Sequence, residues 1–129
     1  MTPPIVVIDD DAMVRISIQR ILEAEGYEVA LAHNGREGLS LTQRLAPRLV
    51  ITDIIMPEKE GIETIRDIRA LDPAVRIVAI SGDGIGPNVD FLRIARKLGA
   101  DATLAKPFRR EELLACVEGR RVPPKDSMK

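Results

Sequence analysis

Cysteine, an excess of charge of either sign and long apolar runs are all scarce in this sequence. Cys116 is the only cysteine, so no disulfide can form within the chain, and a reducing cytoplasm is the natural expectation. Nineteen basic and twenty acidic residues leave a formal charge of -1, which excludes a global field that recruits nucleic acid or an anionic membrane. The N-terminal stretch MTPPIVVIDD has no basic segment and only four consecutive apolar residues before an acidic cluster. Neither a signal peptide nor a membrane span fits it, and the expected location is cytoplasmic. No internal repeat or low-complexity tract is present. At 129 residues, 45% hydrophobic and 30% charged, the chain has the make-up of one soluble domain with its own core.

What is present is a regular alternation of two periodicities. Residues 49–51 (Leu-Val-Ile) form an unbroken apolar run of the kind buried on both faces of a sheet, and the run stops at Thr52 and Asp53. Residues 5–8 form a second such run, ending in Asp9, Asp10 and Asp11. Between them, Val14, Ile18, Ile21 and Leu22 make a helical stripe over residues 12–25, closed by Gly26. Residues 27–32 read as an edge strand, and Asn34-Gly35 turns the chain into a helix ending near Leu45-Ala46, before Pro47. Further on, Ile62, Ile65, Ile68 and Leu71 mark a third helix, residues 75–80 a strand ending at Ser81, and residues 82–87 a glycine-rich loop. A helix over 88–98, a short strand over 102–105, the step Lys106-Pro107-Phe108 and a helix over 109–121 with Leu113, Leu114 and Val117 inward complete the chain. Residues 122–129, with Pro123-Pro124, read as a loose tail or the start of a linker.

Five strands alternating with five helices specify an α/β domain, a doubly wound parallel sheet with helices on both faces. Strands one, three and four are the continuous apolar runs and two and five the more polar ones, which places the latter at the edges and predicts the flavodoxin-like order 2-1-3-4-5. In that order the carboxyl ends of strands one and three are neighbours at the switch point, and Asp9, Asp10 and Asp53 must converge. Such carboxylates repel by roughly 3 kcal/mol per pair at about 5 Å and an effective dielectric near 20, so a cation is expected among them. The donors are hard oxygens, which suits Mg²⁺ better than calcium, for which the loop oxygens are too few. Strands four and five add the Ser81 hydroxyl and the Lys106 ammonium at the same edge, groups that hold the oxygens of a phosphoryl group. An aspartate nucleophile with a metal, a hydroxyl and a lysine makes a site for an aspartyl phosphate.

The acidic pair in IVVIDD, the segment ITDIIMP, the strand end AISG and the step AKPF occur in this order at these intervals. On these residues the chain resembles the CheY-like receiver domain of two-component response regulators, over about residues 4–121. The resemblance implies that Asp53 accepts a phosphoryl group from a sensor histidine kinase or phosphotransfer protein. It implies Mg²⁺ held by Asp10, by Asp53, by the backbone carbonyl of Ile55 and, through water, by Asp9. It assigns Ser81 as the switch hydroxyl and Lys106 as the partner of the phosphoryl group, with a cis Lys106-Pro107 bond. It also implies an output surface on the fourth helix, fifth strand and fifth helix that contacts a downstream protein, in a monomer or a phosphorylation-dependent dimer, with no direct contact to nucleic acid or membrane. The receiver is expected to occupy residues 1–121, as a stand-alone regulator or part of a longer chain. Three departures stand out. Thr103 occupies the position where relatives carry a mobile Tyr or Phe; the loop after Ser81 is longer by about three residues; and Ile55 sets an apolar side chain beside the acceptor, where it is expected to exclude water.

Other features read more plainly. Asp11 is a helix cap. His33, with no partner evident nearby, is a surface residue. The GDGIG run lacks nucleotide-loop spacing, and Cys116 is packing. Ile16 is either partly buried or an exposed apolar contact for a kinase helix. Two rival classes share parts of the pattern: a haloacid-dehalogenase-type phosphatase, which wants an acid where Ile55 stands, and a flavin binder, whose phosphate the acidic cluster would repel.

Overall fold

The structure is a computed structural model, and it describes residues 3–54, 61–82 and 90–119. Five strands, β1 (Ile5–Ile8), β2 (Val29–Ala32), β3 (Leu49–Asp53), β4 (Arg76–Ser81) and β5 (Ala102–Ala105), alternate with five helices. The helices are α1 (Ala12–Ala24), α2 (Gly35–Leu45), α3 (Gly61–Leu71), α4 (Asp90–Leu98) and α5 (Arg110–Glu118). All strand pairs are parallel and the order is β2-β1-β3-β4-β5, as the sequence predicts.

The reason lies in the pleat. Within each central run, alternate residues point to opposite faces, and both faces are covered. Ile5, Val7, Leu49, Ile51, Val78 and Ile80 pack with Ile18 and Leu22 of α1 and Leu113 and Val117 of α5. Val6, Ile8, Val50, Ile77 and Ala79 pack on the other side with Ile65 and Ile68 of α3 and Ala95 of α4. A strand buried on both faces needs no alternation of polarity, which is why its sequence reads as a solid apolar block.

Boundaries differ from the sequence reading where local bonds intervene. β2 begins at Val29 and not at Tyr27, because the Tyr27 amide still donates to Leu22 O at 3.1 Å and closes the end of α1. α5 ends at Glu118, short of 121, because Gly119 takes a left-handed conformation (φ 74°) and caps it. The Asn34 side chain caps α2 by accepting from Glu37 N at 2.8 Å. Leu114 is only half-buried, and the inner face of α5 is completed by Ala115 instead. At the sheet end remote from the acidic residues, Arg69 of α3 donates to Gly99 O at 2.6 Å and to Asp101 Oδ2 at 2.9 Å, joining α3 to the turn that enters β5.

α2 lies so close to β1 that a Cβ on Gly38 would collide with the side chain of Ile8, itself fully buried. A Gly38→Val protein is therefore expected to lose about 2–3 kcal/mol through overpacking, read as a Tm lower by roughly 5–10 °C in thermal denaturation. Equal stability of variant and parent would contradict this packing.

Candidate functional site

The sheet register determines which residues meet at its carboxyl edge. Ile8 pairs with Thr52, so Asp9 emerges level with Asp53, the last residue of β3. Asp53 pairs with Ile80 and Ser81 with Ala105, which brings Ser81 and Lys106 out one step further along the same edge. Carboxylate oxygens of Asp9, Asp10 and Asp53 all lie within 4.8 Å of one another. Asp9 and Asp53 are buried, at 1% and 5% exposure, while Asp10 faces solvent. The cluster that the topology demands is thus present.

Lys106 enters the cluster from β5. Its Nζ donates to Asp9 Oδ2 at 3.0 Å and lies 3.5 Å from Asp53 Oδ2. Burial works against its charge, but the hydrogen bond to Asp9 and the negative charges of Asp53 and Asp9 outweigh that, and its pKa stands above the ordinary lysine value. The sequence reading assigned this ammonium to a phosphoryl group; in this structure it bridges two carboxylates. The peptide bond Lys106-Pro107 is cis, as expected, and the Lys106 amide donates to Ser81 O at 2.8 Å, tying the ends of β4 and β5 together. Ser81 is buried at 6% exposure.

The loop carrying the acidic pair is itself held by hydrogen bonds. Asp9 Oδ1 accepts from Asp11 N at 2.9 Å, and Asp11 Oδ1 caps α1 by accepting from Met13 N at 2.9 Å, so Asp11 is the cap it was expected to be. Arg15 donates from Nη1 to the Asp9 carbonyl at 2.6 Å. Nothing in the sequence singled Arg15 out, since an arginine in an amphipathic helix ordinarily reads as a solvated charge.

The three carboxylates offer only oxygen donors, and the exposed Asp10 leaves the cluster open to water. A hard divalent ion that keeps several waters and takes one or two carboxylates fits that donor set. Of the remaining expectations, Ile55 and loop residues 83–87 lie outside the described residues. Thr103 is half-buried on β5. Ile16 is 41% exposed on α1, so it is partly covered and still presents apolar surface. His33 is exposed as expected, but it does have a partner: its Nδ1 lies 2.8 Å from Glu37 Oε1, one helical turn ahead. Cys116 is half-buried against the α1 and α5 core and burial pushes its thiol pKa up, in keeping with a packing role. No helix among the described residues is long and apolar enough to cross a membrane.

Comparison with known proteins agrees with this geometry. The sequence model of the response regulator receiver domain matches residues 5–118. The response regulator MprA of Mycobacterium bovis is 37% identical over 130 residues, spanning 98% of this chain and 55% of its own length. The chain thus covers about half the length of the curated relatives it matches. A CheY-like response regulator receiver domain protein from Methanospirillum hungatei superposes with a TM-score of 0.85 at 29% identity, over 92% of this chain and 93% of that one. A response regulator protein from Burkholderia pseudomallei, solved with a phosphorylated aspartic acid, a calcium ion and citrate, gives a TM-score of 0.79 at 31% identity, over 88% of this chain and 65% of that one.

Proposed function

The chain belongs to the response regulator receiver family of two-component systems, and from that membership we propose that Asp53 is its phosphoacceptor and that the cluster around it works with Mg²⁺. The observation that carries this reading is the convergence of Asp9, Asp10 and Asp53 with Lys106 at one sheet edge. The Asp53 carboxylate attacks the phosphorus of a phosphohistidine on a sensor kinase or phosphotransfer protein; the P–N bond breaks, the imidazole recovers a proton, and an acyl phosphate forms on Asp53. Asp10, Asp53 and, as family membership implies, the Ile55 carbonyl would hold the ion. Asp9 would contribute through water, in keeping with both its oxygens already accepting hydrogen bonds, from Asp11 N and from Lys106. An ion held there would spread the negative charge of the transferring phosphoryl oxygens. Lys106 then moves its ammonium from carboxylate to phosphoryl oxygen, and the Ser81 hydroxyl donates to another. A metal ion and a phosphorylated aspartate occur together in the Burkholderia relative, which supports this assignment.

A kinase docks beside the cluster. A cleft of about 450 Å³ lined by Met13, Val14, Ser17, Lys106, Pro107 and Phe108 opens next to the lysine, and Met13 is 77% exposed with Ile16 nearby on the same helix. Phosphorylation shifts an equilibrium at the face formed by α4, β5 and α5, since Ser81 and Lys106 connect the acceptor to those elements, and a downstream protein reads that face in a monomer or a phosphorylation-dependent dimer. The chain acts only on its own phosphoryl group, works in the cytoplasm, and carries the receiver in residues 1–121 with 122–129 as tail or linker.

Incubation with acetyl phosphate and Mg²⁺, followed by intact-mass spectrometry, tests the reading. One phosphoryl group per chain, absent when the metal is chelated, is the expected result. Steady turnover without a labelled protein would mean a phosphatase instead, and no reaction at all would remove the proposal.

A further inference from the structure

Asp10 poses a problem of placement. It is the exposed member of the cluster, yet its carboxylate must stay within reach of two buried ones. Its two neighbours in sequence are anchored through their side chains, Asp9 to Asp11 N and Lys106, and Asp11 to the first turn of α1. Among the described residues, what remains to orient Asp10 is the peptide plane that joins it to Asp9. The amide of Asp9 donates to Ala32 O at 3.1 Å, which ties the preceding Ile8-Asp9 peptide to the sheet. Its carbonyl is held by Arg15 Nη1 at 2.6 Å, a short hydrogen bond from a charged donor on a half-buried side chain.

Arg15 gains nothing for the helix from this position, because the N-terminal end of a helix favours anions. It lies six positions after Asp9, and the guanidinium reaches back over the loop to a carbonyl whose peptide aims a proposed metal ligand. We infer that Arg15 is a positioning residue for Mg²⁺ binding: by clamping the Asp9 carbonyl it fixes the Asp9-Asp10 peptide and so holds the Asp10 carboxylate where it meets Asp53. The inference rests on the metal site proposed above. Groups that orient a metal ligand typically change metal affinity by about 10–100-fold when removed.

Two effects of opposite sign separate this role from plain electrostatics. Removing a nearby positive charge should by itself tighten Mg²⁺ binding, whereas removing a clamp should weaken it. Isothermal titration of Mg²⁺ into the full chain, with circular dichroism to verify folding, distinguishes them. Arg15→Ala is expected to raise the Mg²⁺ dissociation constant roughly tenfold. Arg15→Lys, which keeps a donor and a charge on a flexible stem, is expected to recover part of that loss and serves as the test if Arg15→Ala does not fold. Unchanged or tighter binding in a folded Arg15→Ala, or binding in Arg15→Lys indistinguishable from the parent when Arg15→Ala is unfolded, overturns the inference while leaving the metal site intact. A parent protein that binds no Mg²⁺, or an Asp10→Asn variant that binds it as well as the parent, overturns the metal site and the inference together.

Discussion

Asp53→Asn is expected to take up no phosphoryl group from acetyl phosphate, a fall on the order of 10³-fold or more, as befits loss of the reacting atom. The amide matches the carboxylate in shape but is a poor nucleophile, and it adds no bulk to a position that is 5% exposed. The same change removes one of three negative charges lying within 4.8 Å of one another. The fold should therefore hold, with thermal stability equal to or above that of the parent in metal-free buffer. Loss of labelling in a folded protein is the outcome that identifies Asp53 as the acceptor. Labelling that persists and maps to Asp10 would transfer the role to the exposed carboxylate.

Lys106→Met is expected to destabilise the metal-free protein by about 3 kcal/mol, the lower part of the range for breaking a buried ion pair, because the lysine keeps some contact with solvent. Its side chain is 18% exposed, against 1% for Asp9 and 8% for Asp53, and methionine fills much of its volume without supplying a donor. Two buried carboxylates then lose the Lys106 ammonium. Added Mg²⁺ should raise the Tm of the variant more than that of the parent, since the ion replaces part of the missing charge. The pH dependence has a definite sign. The Lys106 pKa is raised by folding, so its contribution is fully present below the ordinary value of 10.5 and disappears as pH rises through the higher folded value. The gap in stability between parent and variant should consequently close only in strongly alkaline buffer. A gap already closed at neutral pH would mean that the lysine does not neutralise the cluster.

How much of this was legible beforehand follows from what each signal depends on. The strand order was readable because a strand buried on both faces must be apolar along its buried length, and only residues 5–8, 49–51 and 77–80 meet that condition in strand-forming runs. Helix ends were less legible. Gly26 and Asn34 marked their boundaries by chemistry, but Tyr27 was drawn out of β2 by a hydrogen bond to Leu22, a choice that local composition does not record. The partner of His33 was missed, although Glu37 lies one helical turn ahead, because the pairing depends on Asn34 capping the helix.

By itself the sequence determined the layers, the order of the strands and the meeting of Asp9, Asp10 and Asp53, since all three follow from apolar periodicity and from a parallel sheet having one carboxyl edge. Only the tertiary structure decided that Lys106 lies between Asp9 and Asp53, that Arg15 clamps the Asp9 carbonyl and that Gly38 leaves room for Ile8. Those are matters of direction and distance among side chains on different elements. Periodicity states which face a residue occupies, but where a long flexible side chain comes to rest depends on the partners that folding brings within its reach.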